Sequence, residues 1–454
     1  MPPFRLSLFG ALLSLTALPA QAEMAGCDYE IIVHGASANS LDITITCAEG
    51  VSLDELRLAD SAASAFITRK VAAAETAQFH IDLAAFAAQS DDYDGALRIG
   101  RSLLVSPSAI LPIPQPGDIG LRLHVKVMDG ADLAIALPQD ASGAFVLRSG
   151  DVEDAGEWVL GRFESFSLAE EGEMQVATLD APIAVSQEEL RRWIGDVAAS
   201  NRRFWGAVPV APALVAIIPV TGKKGLPFGR VMAGGGATIL LLLGAETSLS
   251  QLYDEWVLVH EFLHLGSPLM RDTGIWLNEG IATYFEPILR ARAGWKSEDA
   301  VWHEWLLNMQ RGLPALTETG LKEAPSRRSY WGGALFLLLA DIQLRRHSGG
   351  RVGTEDCLRA VLQEGADVRQ RWLTETMLSA CEAATGHTGV LNDLAQKYVY
   401  GHHPLDLDQV WRDLGVSLGE DGSIHYDDTA PLAAVRQSIV WGDKVDWPPI
   451  GQGR

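Results

Sequence analysis

The sequence predicts an α+β, multidomain chain: a β-sandwich-like domain over residues 23–150, a central α/β domain over 151–350, and a mainly helical C-terminal region over 351–454. Three observations predict it. Short runs rich in β-branched residues, separated by Gly, Asp and Asn turn signals, recur from Cys27 to about Leu147. From Ser186 onward, helical periods alternate with two strand-length apolar runs. Past Arg351 the spacing of apolar residues is mostly helical.

Length and composition set the outer bounds. A chain of 454 residues with 48% apolar residues can build several sizeable cores. Arg5, the apolar run from Leu6 to Leu18 and the small residues around Ala20-Gln21-Ala22 read as an export leader over residues 1–22, cleaved near Ala22. That run is too short to span a bilayer, and the longest later one, Ala237 to Ala245, is strand length. A periplasmic or secreted protein without stable membrane insertion is expected. Four cysteines then fall into two pairs, Cys27/Cys47 and Cys357/Cys381, expected as disulfides because an exported compartment allows oxidation. The formal charge of −22 is spread along the chain, which argues against nucleic acid or an anionic membrane as partner.

Taken in order, the first domain should hold strands at 30–34, 41–47, 96–99, 121–127 and 133–137. His34, His80 and His124 are scattered along it and read as structural or solvated. Ser186 to Phe204 places Leu190, Trp193, Ile194, Val197 and Phe204 on one helical face. The apolar runs Ala213 to Val220 and Ala237 to Leu243 follow as strands, and between them lies Gly234-Gly235-Gly236. Those glycines would let an extended peptide approach a strand edge, and so they are candidate substrate-binding residues.

The chemistry concentrates at His260-Glu261-Phe262-Leu263-His264. Four residues apart on a helix, His260 and His264 lie one above the other and can offer two imidazole nitrogens to one cation. Glu279 comes after fourteen intervening residues, on a second apolar helix. Two His and one Glu form a ligand set that binds Zn²⁺ and leaves a fourth position for water. Glu261, beside the first ligand, is placed to act as general base. By contrast His303-Glu304-Trp305-Leu306-Leu307 opens the same way but lacks the second His, and reads as surface helix. The helix carrying the pair should start near Thr247 or Ser248 and end at Gly266, burying Leu252, Trp256, Val259 and Leu263. The next should run from about Thr273 to Arg292, with Ile275, Ala282, Phe285 and Leu289 inward and Pro287 as a kink.

His-Glu-x-x-His followed by Trp276-Leu277-Asn278-Glu279-Gly280-x-Ala-x-Tyr-Phe-Glu resembles the gluzincin zinc metallopeptidases. Ser329-Tyr330-Trp331-Gly332-Gly333-Ala334 and the segment from Lys397 to Asp406 are similar to the glycyl aminopeptidase-like branch. The resemblance covers roughly residues 202–418. It implies a thermolysin-like α/β catalytic domain, a peptide or protein substrate, Glu279 as third zinc ligand and Tyr330 as the oxyanion donor. Asn278 would brace the site from behind the ligands. Departures are visible too: the gap before Glu279 is shorter than in the aminopeptidase branch, Gly332 replaces a Lys, and no PDZ-like module is found. Gly-Gly-Gly-Ala-Thr stands where those aminopeptidases carry Met-Glu-Asn, so the Glu that would hold a free α-amine is missing. The expected activity is therefore aminopeptidase-like peptide hydrolysis. The alternatives are an endopeptidase acting on an exported protein and a non-catalytic binding or scaffold protein.

Overall fold

In the computed structural model, residues 26–442 are described, apart from 74–75, 91–92, 94, 116–117 and 273. The expected leader segment lies outside these residues. Two sheets form the N-terminal part. The first has six strands, with Gly26–His34 at its centre, parallel to Gly120–Val127 and antiparallel to Ser40–Cys47. The second has four, ordered Asp132–Ala134, Trp158–Gly161, Ser102–Val105, Ala96–Ile99. Side chains from both sheets, among them Tyr29, Ile31, Leu103, Val105, Trp158 and Leu160, share one core. The sheets therefore face each other as a sandwich.

The second sheet is buried on both faces, which is why Leu103-Leu104-Val105 and Trp158-Val159-Leu160 read as unbroken apolar runs. Leu104 and Val159 point away from the sandwich core, into a small cluster with Ala177, Leu214, Ala216, Ile218 and Leu240. These last belong to a five-stranded sheet: β1 (Glu164–Leu168), β2 (Met174–Thr178), β3 (Ala213–Val220), β4 (Phe228–Met232) and β5 (Ala237–Gly244), in the order β1-β2-β3-β5-β4. The three sheets stack, and apolar side chains fill both gaps. The core of the sandwich includes residues up to Leu160 and the next begins at Phe166, slightly past the break expected at 150.

The other face of the five-stranded sheet is covered by helices, in one core that runs from Phe166 to Val440. Helix α1 (Gln187–Trp205) starts with a capping box between Ser186 and Glu189 and buries Leu190, Trp193, Ile194, Val197 and Phe204. Next come α2 (Val257–His264), α3 (Ile275–Arg292), α4 (Glu298–Pro314) and α5 (Ser326–Ser348). The C-terminal region adds helices to this same core and does not build one of its own. It is mainly helical as expected, with a short strand at Ile424–Tyr426 before the last helix, Ala433–Trp441.

Glycine lets α5 wedge between two neighbours. A Cβ on Gly333 would strike the Trp276 carbonyl of α3, and one on Gly280 would lie 2.6 Å from Gly333 Cα. On the other side Gly332 sits against Ala315, Leu321 and the Gly312 carbonyl of α4. Gly332, which stands where the resembled segment has Lys, is thus needed for helix packing.

Both cysteine pairs form the expected disulfides, Cys27–Cys47 and Cys357–Cys381. His34 and His80 are not isolated: each bonds Asp42 on the strand between them, at 3.0 and 2.8 Å. The C-terminal helix is tied down by Arg292, buried at the end of α3, which donates to the Val440 carbonyl and pairs with Glu355 at 2.6 Å. Removing one partner of a buried pair leaves the other charge without compensation. Arg292→Ala is accordingly expected to lower stability by about 3–5 kcal/mol, read as a fall in the urea midpoint.

Candidate metal centre

Helix α2 does not begin at Ser248. Ser248 caps a short helix, Leu249–Asp254, with Gln251 completing its capping box. The chain then breaks at Glu255, whose backbone is extended, and α2 restarts at Val257. The break shifts the helical phase, so Trp256 is 48% exposed and lies outside the predicted buried stripe, while Leu252, Val259 and Leu263 are buried. Ile275 is likewise exposed, because it opens α3 at the surface.

His260 and His264 face Glu279 from α2 across to α3. Glu279 Oε2 lies 3.1 Å from His260 Nε2 and 3.7 Å from His264 Nε2. One donor atom from each of the three lies within 4.8 Å of the others. A tetrahedral zinc with bonds of ~2.0–2.2 Å needs donors ~3.3–3.6 Å apart, and the two measured distances bracket that spacing. Two imidazoles and a carboxylate, nearly or fully buried, therefore fit Zn²⁺ in both chemistry and spacing.

The electrostatics suit a cation. Burial opposes charge on Glu279, yet its bond to His260, the field of both imidazoles and a bond from Tyr330 hold its carboxyl below the usual range. Burial pushes His264 down to about 4, which keeps it neutral and able to ligate. Burial also opposes charge on His260, but the bond to Glu279 and the fields of Glu261, Glu279 and Glu286 outweigh it and raise this imidazole. Glu286, buried two turns further along α3 than Glu279 and bonded to Arg290 at 3.0 Å, was not singled out from the sequence.

Glu261 is buried, and burial lifts its carboxyl to about 7, against the lowering field of His260. A carboxyl tuned near neutrality suits a group that must take up and return a proton. Tyr330 lies in the first turns of α5, and its hydroxyl donates to Glu279. Burial and that carboxylate push its phenol up to about 12, so it stays a proton donor. Its ring stacks on His260 at 6.2 Å.

Asn278 touches neither imidazole. Its amide donates to the Pro268 carbonyl at 2.8 Å and its oxygen accepts from Met270 N at 2.9 Å. It thereby fastens the connector between α2 and α3. Leu269 and Met270 of that connector pair with Arg371 and Trp372, and Asp272 accepts from Thr374. The short gap before Glu279 is stable because these three sets of bonds hold it.

Gly234, Gly235 and Gly236 stand elsewhere. Gly234 packs against the backbone of Asp151 and Ala155, Gly235 against Leu137 and Leu147, and Gly236 against the Ala136 carbonyl. Their missing side chains let the sheet meet the N-terminal sandwich, so the expectation that they line the cleft is corrected. A glycine that does approach α2 is Gly229, on the edge strand β4. A Cβ there would fall 2.7 Å from Glu261 Cγ and 2.8 Å from Val257 Cγ1. Its sequence signal was weak, a single Gly following Pro227-Phe228 in a loop already rich in glycine. Gly229→Val is expected to lower kcat/KM by about a hundredfold at unchanged zinc content, because Glu261 must move.

This fold and this site define a zinc-peptidase-like arrangement, and a solved structure shares the fold. The chain superposes on an aminopeptidase N family protein from Idiomarina loihiensis with a TM-score of 0.61 and 13% identity, covering 87% of this chain and 79% of that one. An M1 zinc metallopeptidase from Deinococcus radiodurans gives 0.47 at 14% identity, with 84% and 95% covered. Native yeast LTA4 hydrolase gives 0.46 at 11% identity, with 85% of this chain and 68% of that chain covered. No family model and no curated protein matches the sequence.

Proposed function

We propose that this protein is an exported zinc-dependent peptidase. The observation that carries the reading is the convergence of His260, His264 and Glu279 within 4.8 Å, with Glu261 alongside and Tyr330 bonded to Glu279. Two disulfides support export, and among the described residues no helix is long and apolar enough to cross a membrane.

Bound Zn²⁺ would polarise the scissile carbonyl and make water a better nucleophile at neutral pH. Glu261 accepts the proton of the attacking water and returns it to the leaving amine. Tyr330 donates to the oxygen on which negative charge develops, a contact typically worth ~3 kcal/mol. The edge of β4, running past Glu261 at Gly229, offers backbone bonds to an extended peptide.

Aminopeptidase-like cleavage is the first reading, supported by the motifs around Glu279 and Tyr330 and by the fold shared with the aminopeptidase N family protein. One observation favours an endopeptidase instead: β4, Phe228-Gly229-Arg230-Val231-Met232, carries a cation and no carboxylate to hold a free α-amine. Parallel assays on free and N-acetylated peptides separate the two. An aminopeptidase loses the acetylated substrates and an endopeptidase keeps them. Zinc-loaded protein that cleaves neither set contradicts both.

A further inference from the structure

We propose that Trp256 walls a subsite for a bulky apolar or aromatic side chain on the peptide residue beside the scissile bond. The inference rests on the peptidase reading above and names which peptides that site prefers.

Three observations converge on Trp256. First, its indole is half exposed, at 48%, and stands perpendicular to the His260 ring with centroids 5.3 Å apart. Tyr330, also exposed, stacks on that same ring, so His260 lies between two accessible aromatic side chains. Solvent-exposed apolar surface thus borders the cluster of candidate metal ligands.

Second, Trp256 occupies the N-cap of α2 and makes no side-chain cap bond. Ser, Thr, Asp or Asn at this position would stabilise the helix by about 1 kcal/mol. A large apolar residue that neither caps nor is buried does little for the fold. Its use is better sought in what it contacts from outside, since indoles offer large, rigid contact area at small entropic cost.

Third, the first turn of α2, which Trp256 opens, packs beside the edge strand β4. Val257, the next residue, meets Gly229 of that strand. A peptide extended along this edge passes the first turn of α2 before it reaches Glu261. Its side chains alternate in direction, and the one turned toward α2 beside Glu261 comes against the indole. An aliphatic or aromatic side chain there removes apolar surface of both partners from water.

The test uses zinc-loaded protein and matched peptides that differ only beside the scissile bond, with Leu, Phe, Ala or Lys. Wild type is expected to favour Leu and Phe over Ala in kcat/KM, and Trp256→Ala to cut that ratio by about tenfold. The loss should fall mainly on KM, and Trp256→Phe should restore most of the ratio. Zinc content and circular dichroism check that the variants are folded. If Trp256→Ala fails that check, the ratio in Trp256→Gln decides instead. An unchanged ratio, or a loss confined to the Lys peptide through a cation on the ring face, overturns the inference and leaves the peptidase reading intact. A zinc-loaded wild type that cleaves none of the peptides overturns that reading and this one together.

Discussion

Glu261→Gln is expected to lower kcat for peptide hydrolysis by about 10²–10⁴-fold while leaving bound zinc unchanged. The amide nearly matches the carboxylate in shape, so the burial around residue 261 and the approach of Gly229 are preserved. What is lost is the ability to accept a proton. The donors that would hold the metal, on His260, His264 and Glu279, are untouched. A fall in kcat with KM and zinc content near wild type therefore assigns the proton to Glu261. A variant that turns over at the wild-type rate would remove it from the mechanism.

Glu279→Ala should act one step earlier, on metal affinity. Its carboxylate is the one negative group of the three, and it stands within bonding reach of both imidazoles and of Tyr330. Outer partners of metal ligands are typically worth ~10–100-fold in affinity, so loss of a ligand itself should exceed about a hundredfold. Competition with a chelator of known zinc affinity measures this. Alanine should also leave Tyr330 without its acceptor, so excess zinc should restore activity only in part. Zinc binding at wild-type strength would show that the pair of His alone holds the ion.

Much of this site could be read from residue order, because its decisive spacings are local. His260 and His264 are one helical turn apart, and the apolar residues around Glu279 mark a helix whatever it packs against. The stretch Ser186 to Phe204 was equally plain, since its capping box and its buried face are both written in sequence. The features that were misjudged depend on a neighbour or on a break in phase. Counting one helix from Ser248 through Gly266 buried Trp256, whereas the extended residue Glu255 rotates it outward. Gly234 to Gly236 looked like a substrate strand, but only the N-terminal sandwich pressed against them explains their lack of side chains. Gly229 gained its meaning from β4 lying at the sheet edge over Glu261. Gly280 and Gly333 sit more than fifty residues apart, and no local pattern reports that they meet.

The account turns most directly on whether peptide hydrolysis tracks one zinc ion per chain. Chelator-stripped wild-type protein would be titrated with Zn²⁺ while cleavage of an extended peptide is followed. Activity is predicted to be absent at the start, to rise linearly and to level off at one equivalent. Hydrolysis that survives full removal of the metal, or that never appears once the ion is bound, would contradict it.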